Sequence, residues 1–234
     1  MKRTFTITLL LLCASLSCSA QWSAGLRGGV SLNRMSRSAF YTAMKFDGGL
    51  SFTSSITATY SFSNWLAVRS GVDVLQKNYT AQYMETNLQK LGCHEDFHNT
   101  YLQIPLMADF RVGVGEFGFH ALAGVYGDFW LKSTSSGRLS RMNSAVPDVS
   151  SDDLVSTYDF SGETVEFNET RDNRPGFGLA GGVGVTYDLS KHWTLALEAT
   201  VFYGLTSQTK DYMRISDPRY NTTCTIQAGV NYNF

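Results

Sequence analysis

The sequence predicts an all-β fold: an eight-stranded antiparallel transmembrane β-barrel with short periplasmic turns and long extracellular loops. Three observations predict it. Apolar residues recur with period two over eight separate segments, the period of a strand and not of a helix. The connections between segments alternate between short and long. Aromatic residues gather at the segment ends beside the short connections, the pattern of a membrane–water interface.

The segments follow in order. "WSAGLRGGVSL" sets Trp22, Ala24, Leu26, Val30 and Leu32 against small or polar residues. "SFTSSITATYSF" sets Phe52, Ile56, Ala58, Tyr60 and Phe62 against serines and threonines. "WLAVRSGVDVL" sets Leu66, Val68, Val72 and Val74 against Ala67, Arg69, Gly71 and Asp73. "TYLQIPLMADFRV" sets Leu102, Ile104, Leu106, Ala108, Phe110 and Val112 against Gln103, Pro105, Met107, Asp109 and Arg111. "FGFHALAGVYGDFWL" carries Phe117, Phe119, Ala121, Ala123, Val125, Phe129 and Leu131 on one face. "FGLAGGVGVTYDL" opposes Phe177, Leu179, Val183, Val185, Tyr187 and Leu189 to Gly178, Ala180, Gly182, Gly184 and Thr186. "WTLALEATVFYGL" carries Trp193, Leu195, Leu197, Ala199, Val201, Tyr203 and Leu205, and "TCTIQAGVNYNF" carries Cys224, Ile226, Ala228, Val230, Tyr232 and Phe234. These are strands of roughly 10 to 14 residues, longer than those of globular sheets.

Short turns fall at 61–64, 113–116 and 188–192, and long loops at 33–48, 76–99, 133–174 and 206–220. One turn recurs, "TYSFSNWLAV" and "TYDLSKHWTLAL", each with Tyr before the turn and Trp after it.

The first 20 residues read differently. Lys2 and Arg3 precede the apolar run "TFTITLLLLCASLS", and small residues then lead to Gln21. This is the layout of a secretory signal cleaved after Ala20, leaving a barrel of residues 21–234. The rival reading, a lipid on Cys18, places Leu16 one position too close. Without Lys2 and Arg3 the chain holds 17 basic and 20 acidic residues, a net charge of -3. No nucleic-acid footprint is present, and no later run reaches the ~18 apolar residues of a spanning helix.

Eight alternating strands also fit a soluble barrel with an apolar interior. The second face decides against it, because Gly, Ser, Thr and paired charges suit a crowded lumen better than a solvated exterior. Trp22, Tyr60, Phe62, Trp65, Phe117, Tyr187, Trp193, Tyr232 and Phe234 then form the aromatic girdle. The last strand must pair with the first so that no edge is open to lipid. Its ending, "QAGVNYNF", resembles the C-terminal signal by which the outer-membrane assembly machinery recognises its substrates. Gln227, Gly229, Tyr232 and Phe234 occupy the signal's positions.

"GVDVLQKNY", "TYLQIPLMADFRV" and "FHALAGVYGDF" resemble the outer-membrane β-barrel domain family common in Bacteroidota, whose members are labelled porin-like or PorT-like. The resemblance covers nearly all of residues 21–234. It rests most firmly on Tyr101, Leu102, Ile104 and Pro105, and departs at Asn78, where the family usually has Gly. It implies the fold; a namesake's part in protein secretion does not come with it.

Candidate chemistry is sparse. Arg27, Arg69, Asp73, Asp109, Arg111, His120 and Glu198 all fall on the lumen face. A ring of eight strands is just wide enough for side chains to fill, so these charges are expected to pair and plug the lumen. "HEDFH" at 94–98 matches the zinc-protease pattern H-E-x-x-H, which needs a helix, a third ligand and a cleft. A glycine just before it and a strand just after it favour an exposed loop. Cys93 and Cys224 are placed at the same outer side, where a disulfide is open to them. The loop 133–174 holds eight acidic residues and four arginines, and "VSTYDFSGETVEF" within it reads as a hairpin turning near Ser161-Gly162.

No Ser-His-acid set stands at the outer end, so no enzyme, cofactor or metal is expected. The expected function is that of a non-enzymatic integral protein of the cell outer membrane, structural or interacting through its outward loops. The alternatives are a narrow pore for small solutes or an accessory subunit of a secretion complex. The expected partners are membrane lipid and lipopolysaccharide, the assembly machinery and a surface or secretion partner; the protein itself is expected to be a monomer.

Overall fold

The computed structural model describes residues 21–37, 44–83, 91–142, 155–210 and 218–234. The signal expected at 1–20 lies outside them. Ten strands follow one another: β1 (Gln21–Arg37), β2 (Met44–Ser61), β3 (Leu66–Gln76), β4 (Tyr79–Tyr83), β5 (His94–Val114), β6 (Phe117–Met142), β7 (Val155–Thr164), β8 (Pro175–Asp188), β9 (Trp193–Gly204) and β10 (Arg219–Asn233). All pairings are antiparallel, and the sheet closes as β1-β2-β3-β5-β6-β8-β9-β10 and back to β1. Eight staves therefore form the ring.

The two additional strands extend staves beyond the ring's outer rim. β4 pairs with the start of β2 and the start of β5, so it continues the β3 stave after a break at Lys77-Asn78. Asn99 holds that break: its backbone N–H donates to the Asn78 side chain at 3.1 Å and its side chain donates to the Lys77 carbonyl at 3.2 Å. β7 pairs with residues 134–142 of β6, above the point where β8 takes over. The expected hairpin at 161–162 is thus corrected. Val155–Thr164 is one strand, and Gly162, with φ 68°, sits where the β6–β7 register slips between Ser135 and Gly137. The expected strand lengths are corrected too, since β6 runs for 26 residues and β5 for 21.

The faces are as the alternation predicts. Phe52 is 76 % exposed on the outer face, whereas Asp109 is completely buried inside. Hydroxyl and amide side chains such as Ser31, Asn33, Gln103 and Thr223 fill the interior. Small residues on β8 make room for neighbours: a Cβ on Gly178 would stand 2.6 Å from the Tyr126 ring, and one on Gly184 would stand 2.5 Å from that of His120.

The recurrent turn has a physical basis. The Ser63 hydroxyl accepts the Leu66 N–H and the Ser190 hydroxyl accepts the Trp193 N–H, each at 3.2 Å. The flanking aromatics touch in pairs, Trp22 with Tyr60 at 4.9 Å and Phe117 with Tyr187 at 5.0 Å between ring centroids. Tyr232 meets Trp193 at 5.1 Å and Phe234 at 5.2 Å, and the Phe234 N–H donates to the Trp22 carbonyl at 3.0 Å. The terminal aromatic is docked, and the girdle is continuous with the closure of β10 on β1.

Candidate functional site: the charged lumen

The residues expected on the lumen face converge on Glu198 of β9. Its Oε2 accepts from Arg27 of β1 at 2.5 Å, from Arg69 of β3, and pairs with His120 of β6 at 3.1 Å; its Oε1 accepts from Thr200 at 3.0 Å. Arg69 also donates to Asp109 of β5 at 2.5 Å, and Arg111 donates to the same carboxylate at 2.9 Å. Asp73 stands apart, held by the hydroxyl of its cross-strand partner Ser55. Three guanidiniums and three carboxylates thus share the lumen, Arg111 partly exposed and Arg27 and Arg69 nearly dry. Charges buried there persist only when paired and hydrogen-bonded.

Gly229, expected as part of an assembly signal, has work in the folded lumen. It lies opposite Arg27, and a Cβ there would stand 2.5 Å from the Arg27 Cγ. Gln227 likewise turns inward and donates to Thr53 at 3.1 Å and Ser55 at 2.7 Å.

Outward along β6 from His120 comes an apolar layer of Met107, Leu122, Tyr126, Ala180 and Phe202. Beyond it lies a second charge site that the sequence pattern does not reveal. Lys77, at the β3–β4 break, is buried and bonds to Asp128 of β6. Its ammonium lies 4.5 Å from the Tyr101 ring centroid and 5.4 Å from that of Tyr126. Trp130 stacks on Tyr101, and Gln208 reaches in from the chain after β9 to donate to the Tyr101 hydroxyl. Ser207, Gln208 and Thr209 are all buried, so this segment caps the lumen from outside. Lys77 and Gln208 fall in predicted loops, where alternation says nothing about facing.

At the other end the lumen opens into a polar cavity of about 260 Å³, with Arg69, Arg111 and His120 in its wall and Asn64 and Asp188 towards the short turns.

The H-E-x-x-H residues begin β5 and do not form a loop. On a strand His94 and His98 are about 13 Å apart, beyond the span of one metal, and Glu95 lies on the opposite face. Burial pushes the Glu95 carboxyl up from its usual range. His94 lies 3.9 Å from Asp96, and Thr80 donates to Asp96, not to the imidazole. Cys93 and Cys224 are both free, Cys93 buried and Cys224 exposed on the outer face. Of the acidic loop, Asp148, Asp152 and Asp153 lie outside the described residues; Asp159 is bound through both oxygens by Arg138 at 2.7 and 3.0 Å.

Residues 14–210 match the family model described as outer membrane protein beta-barrel domain. Among solved structures, the outer membrane protease OmpT from Escherichia coli aligns with a TM-score of 0.53 at 8% identity, over 92% of this chain and 97% of that one. Neisserial surface protein A aligns with 0.48 at 13% identity, over 92% and 99%. The outer membrane protein OprG from Pseudomonas aeruginosa aligns with 0.48 at 13% identity, over 91% and 95%. A search among curated proteins finds no match.

Proposed function

The chain belongs to the outer membrane protein beta-barrel domain family and sits in the cell outer membrane; from that premise we propose that it is a closed, non-enzymatic barrel whose role is carried by its outward loops. One observation carries the closed reading. Arg69 and Glu198 are four staves apart in either direction round the ring, so their bond crosses the full lumen. The Lys77–Asp128 pair and the Gln208 segment add a second closure outside it.

The non-enzymatic reading is supported by the histidines. His120 is committed to Glu198 and His192 to the Asn233 carbonyl at the periplasmic end. Among the described residues no side-chain hydroxyl is bonded to the His94 imidazole, which faces Asp96 and bonds to the Gly92 carbonyl, whereas an activated nucleophile needs its base within hydrogen-bond reach. The protease among the similar structures shares the fold, which by itself carries no activity. The strand extensions β4, β6 and β7 carry the sheet beyond the rim and offer a platform for a structural or surface partner. Within the same proposal, the protein is a monomer in contact with lipid and lipopolysaccharide, and a porin-like or PorT-like member from Bacteroidota, a reading that the Tyr-Leu-x-Ile-Pro residues support.

Single-channel recording on the purified, heat-modifiable barrel tests this. The expected record has no steady open level; steady, ion-selective currents would overturn the closed reading in favour of a pore.

A further inference from the structure

The lumen cluster sets three guanidiniums against three carboxylates, but its charges are unevenly placed. Arg27, Arg69 and Arg111 bond to Glu198 and Asp109, while Asp73 lies beside Ser55, its cross-strand partner. The least buried of the cations stands at the cavity end. Arg111 is the outermost of the three, and its side chain is 32% exposed where those of Arg27 and Arg69 are nearly dry. Arg111 spends one Nη on Asp109 and the other on the Ser61 hydroxyl at 3.2 Å. A guanidinium carries five N–H donors, so donors remain beyond these two bonds, and Arg111 lines the cavity.

The rest of the wall supplies neutral donors, among them Asn64, Asn231 and Thr186. The cavity's carboxylate, Asp188, is exposed at the rim and already accepts from Thr194 at 2.7 Å. A half-buried cation at the bottom of a donor-rich cleft attracts an anion with several oxygens, because charge-assisted hydrogen bonds form there with little competition from bulk water.

We propose that the periplasmic cavity of this barrel is a binding site for a small oxyanion, a phosphate or a carboxylate, held by Arg111 with the amides and hydroxyls of the cavity wall. The volume of about 260 Å³ admits such a group and excludes a large polymer segment. Two sources offer this chemistry in the periplasm, free inorganic phosphate and the carboxylate of a chain end. The site lies at the opposite end from the outward loops, so it stands or falls independently of their role.

The test is calorimetric titration of the purified full-length barrel at low salt with inorganic phosphate, with N-acetylalanine and with chloride as reference. Saturable binding of either oxyanion beyond chloride is expected. It should weaken about tenfold in Arg111→Gln, the loss of one charged contact, and tighten about threefold in Asp188→Asn, which removes the competing charge. Phosphate alone binding assigns the free ion; N-acetylalanine alone binding assigns a chain-end carboxylate; both support the site. Folding of each variant is read from its heat-modifiable gel shift. If Arg111→Gln fails to fold, Asp188→Asn decides: tighter binding supports the site and unchanged binding overturns it. Absence of saturable binding, or equal binding by folded Arg111→Gln, also overturns it.

Discussion

Arg69 and Glu198, 129 residues apart in sequence, bond across the lumen from diametrically opposite staves. Glu198 is also the acceptor for Arg27 and the partner of His120, so one carboxylate ties four of the eight staves together. Such a hub makes the barrel's stability depend on a single side chain.

Glu198→Ala should therefore destabilise the folded barrel by about 3–5 kcal/mol, since it leaves two buried guanidiniums without their partner. The midpoint of urea unfolding in detergent micelles, followed by the heat-modifiable gel shift, measures it. A loss no larger than that of an exposed carboxylate would show that water already compensates the cluster.

Gly229→Val should cost about 1–3 kcal/mol, because a Cβ there meets the Leu26 carbonyl and the Arg27 backbone as well as the Arg27 side chain. Paired with Arg27→Ala, only part of the cost should go, because the backbone contacts remain. If the cost of Gly229→Val is the same with and without the Arg27 side chain, the close approach of the strands alone demands the glycine.

At the outer closure, Lys77→Met alone should destabilise by about 3–5 kcal/mol, leaving the Asp128 carboxylate buried and unpaired. Adding Asp128→Leu should recover most of this loss, since an apolar pair can fill the same space beside Tyr101 and Tyr126. Chemical unfolding of the two single variants and the double variant gives the coupling.

Above the membrane, Arg138 holds the Asp159 carboxyl below the usual carboxylate range through two hydrogen bonds. A depressed folded value means the pair contributes above the ordinary carboxylate pKa and is lost as pH falls through the lower one. Titration of the Asp159 side chain by NMR should show a depressed midpoint that returns to the ordinary range in Arg138→Ala. Because both groups are exposed, salt should weaken the effect.

Much of this molecule is legible in its sequence. Period two from Trp22 to Phe234 fixes which side chains meet lipid, because alternate Cβ atoms must point to opposite faces of a strand. It also puts Arg27, Arg69, Asp73, Asp109, Arg111, His120 and Glu198 on the lumen face. The same signal fails beyond the rim. There β7 is exposed along most of its length and β4 has only five residues, so the ladder continues while the alternation is too short or too weak to read, and the extensions read as loops.

What only the tertiary structure decided is the partnering. Glu198 meets Arg69 because the ring closes on eight staves in one register, a property of all the strand pairings at once and of no single segment. Lys77 turns inward because the β3–β4 break redirects the chain, and Gln208 enters the lumen because the segment after β9 folds over its mouth. Alternation assigns a side chain to a face; closure and register assign it a neighbour.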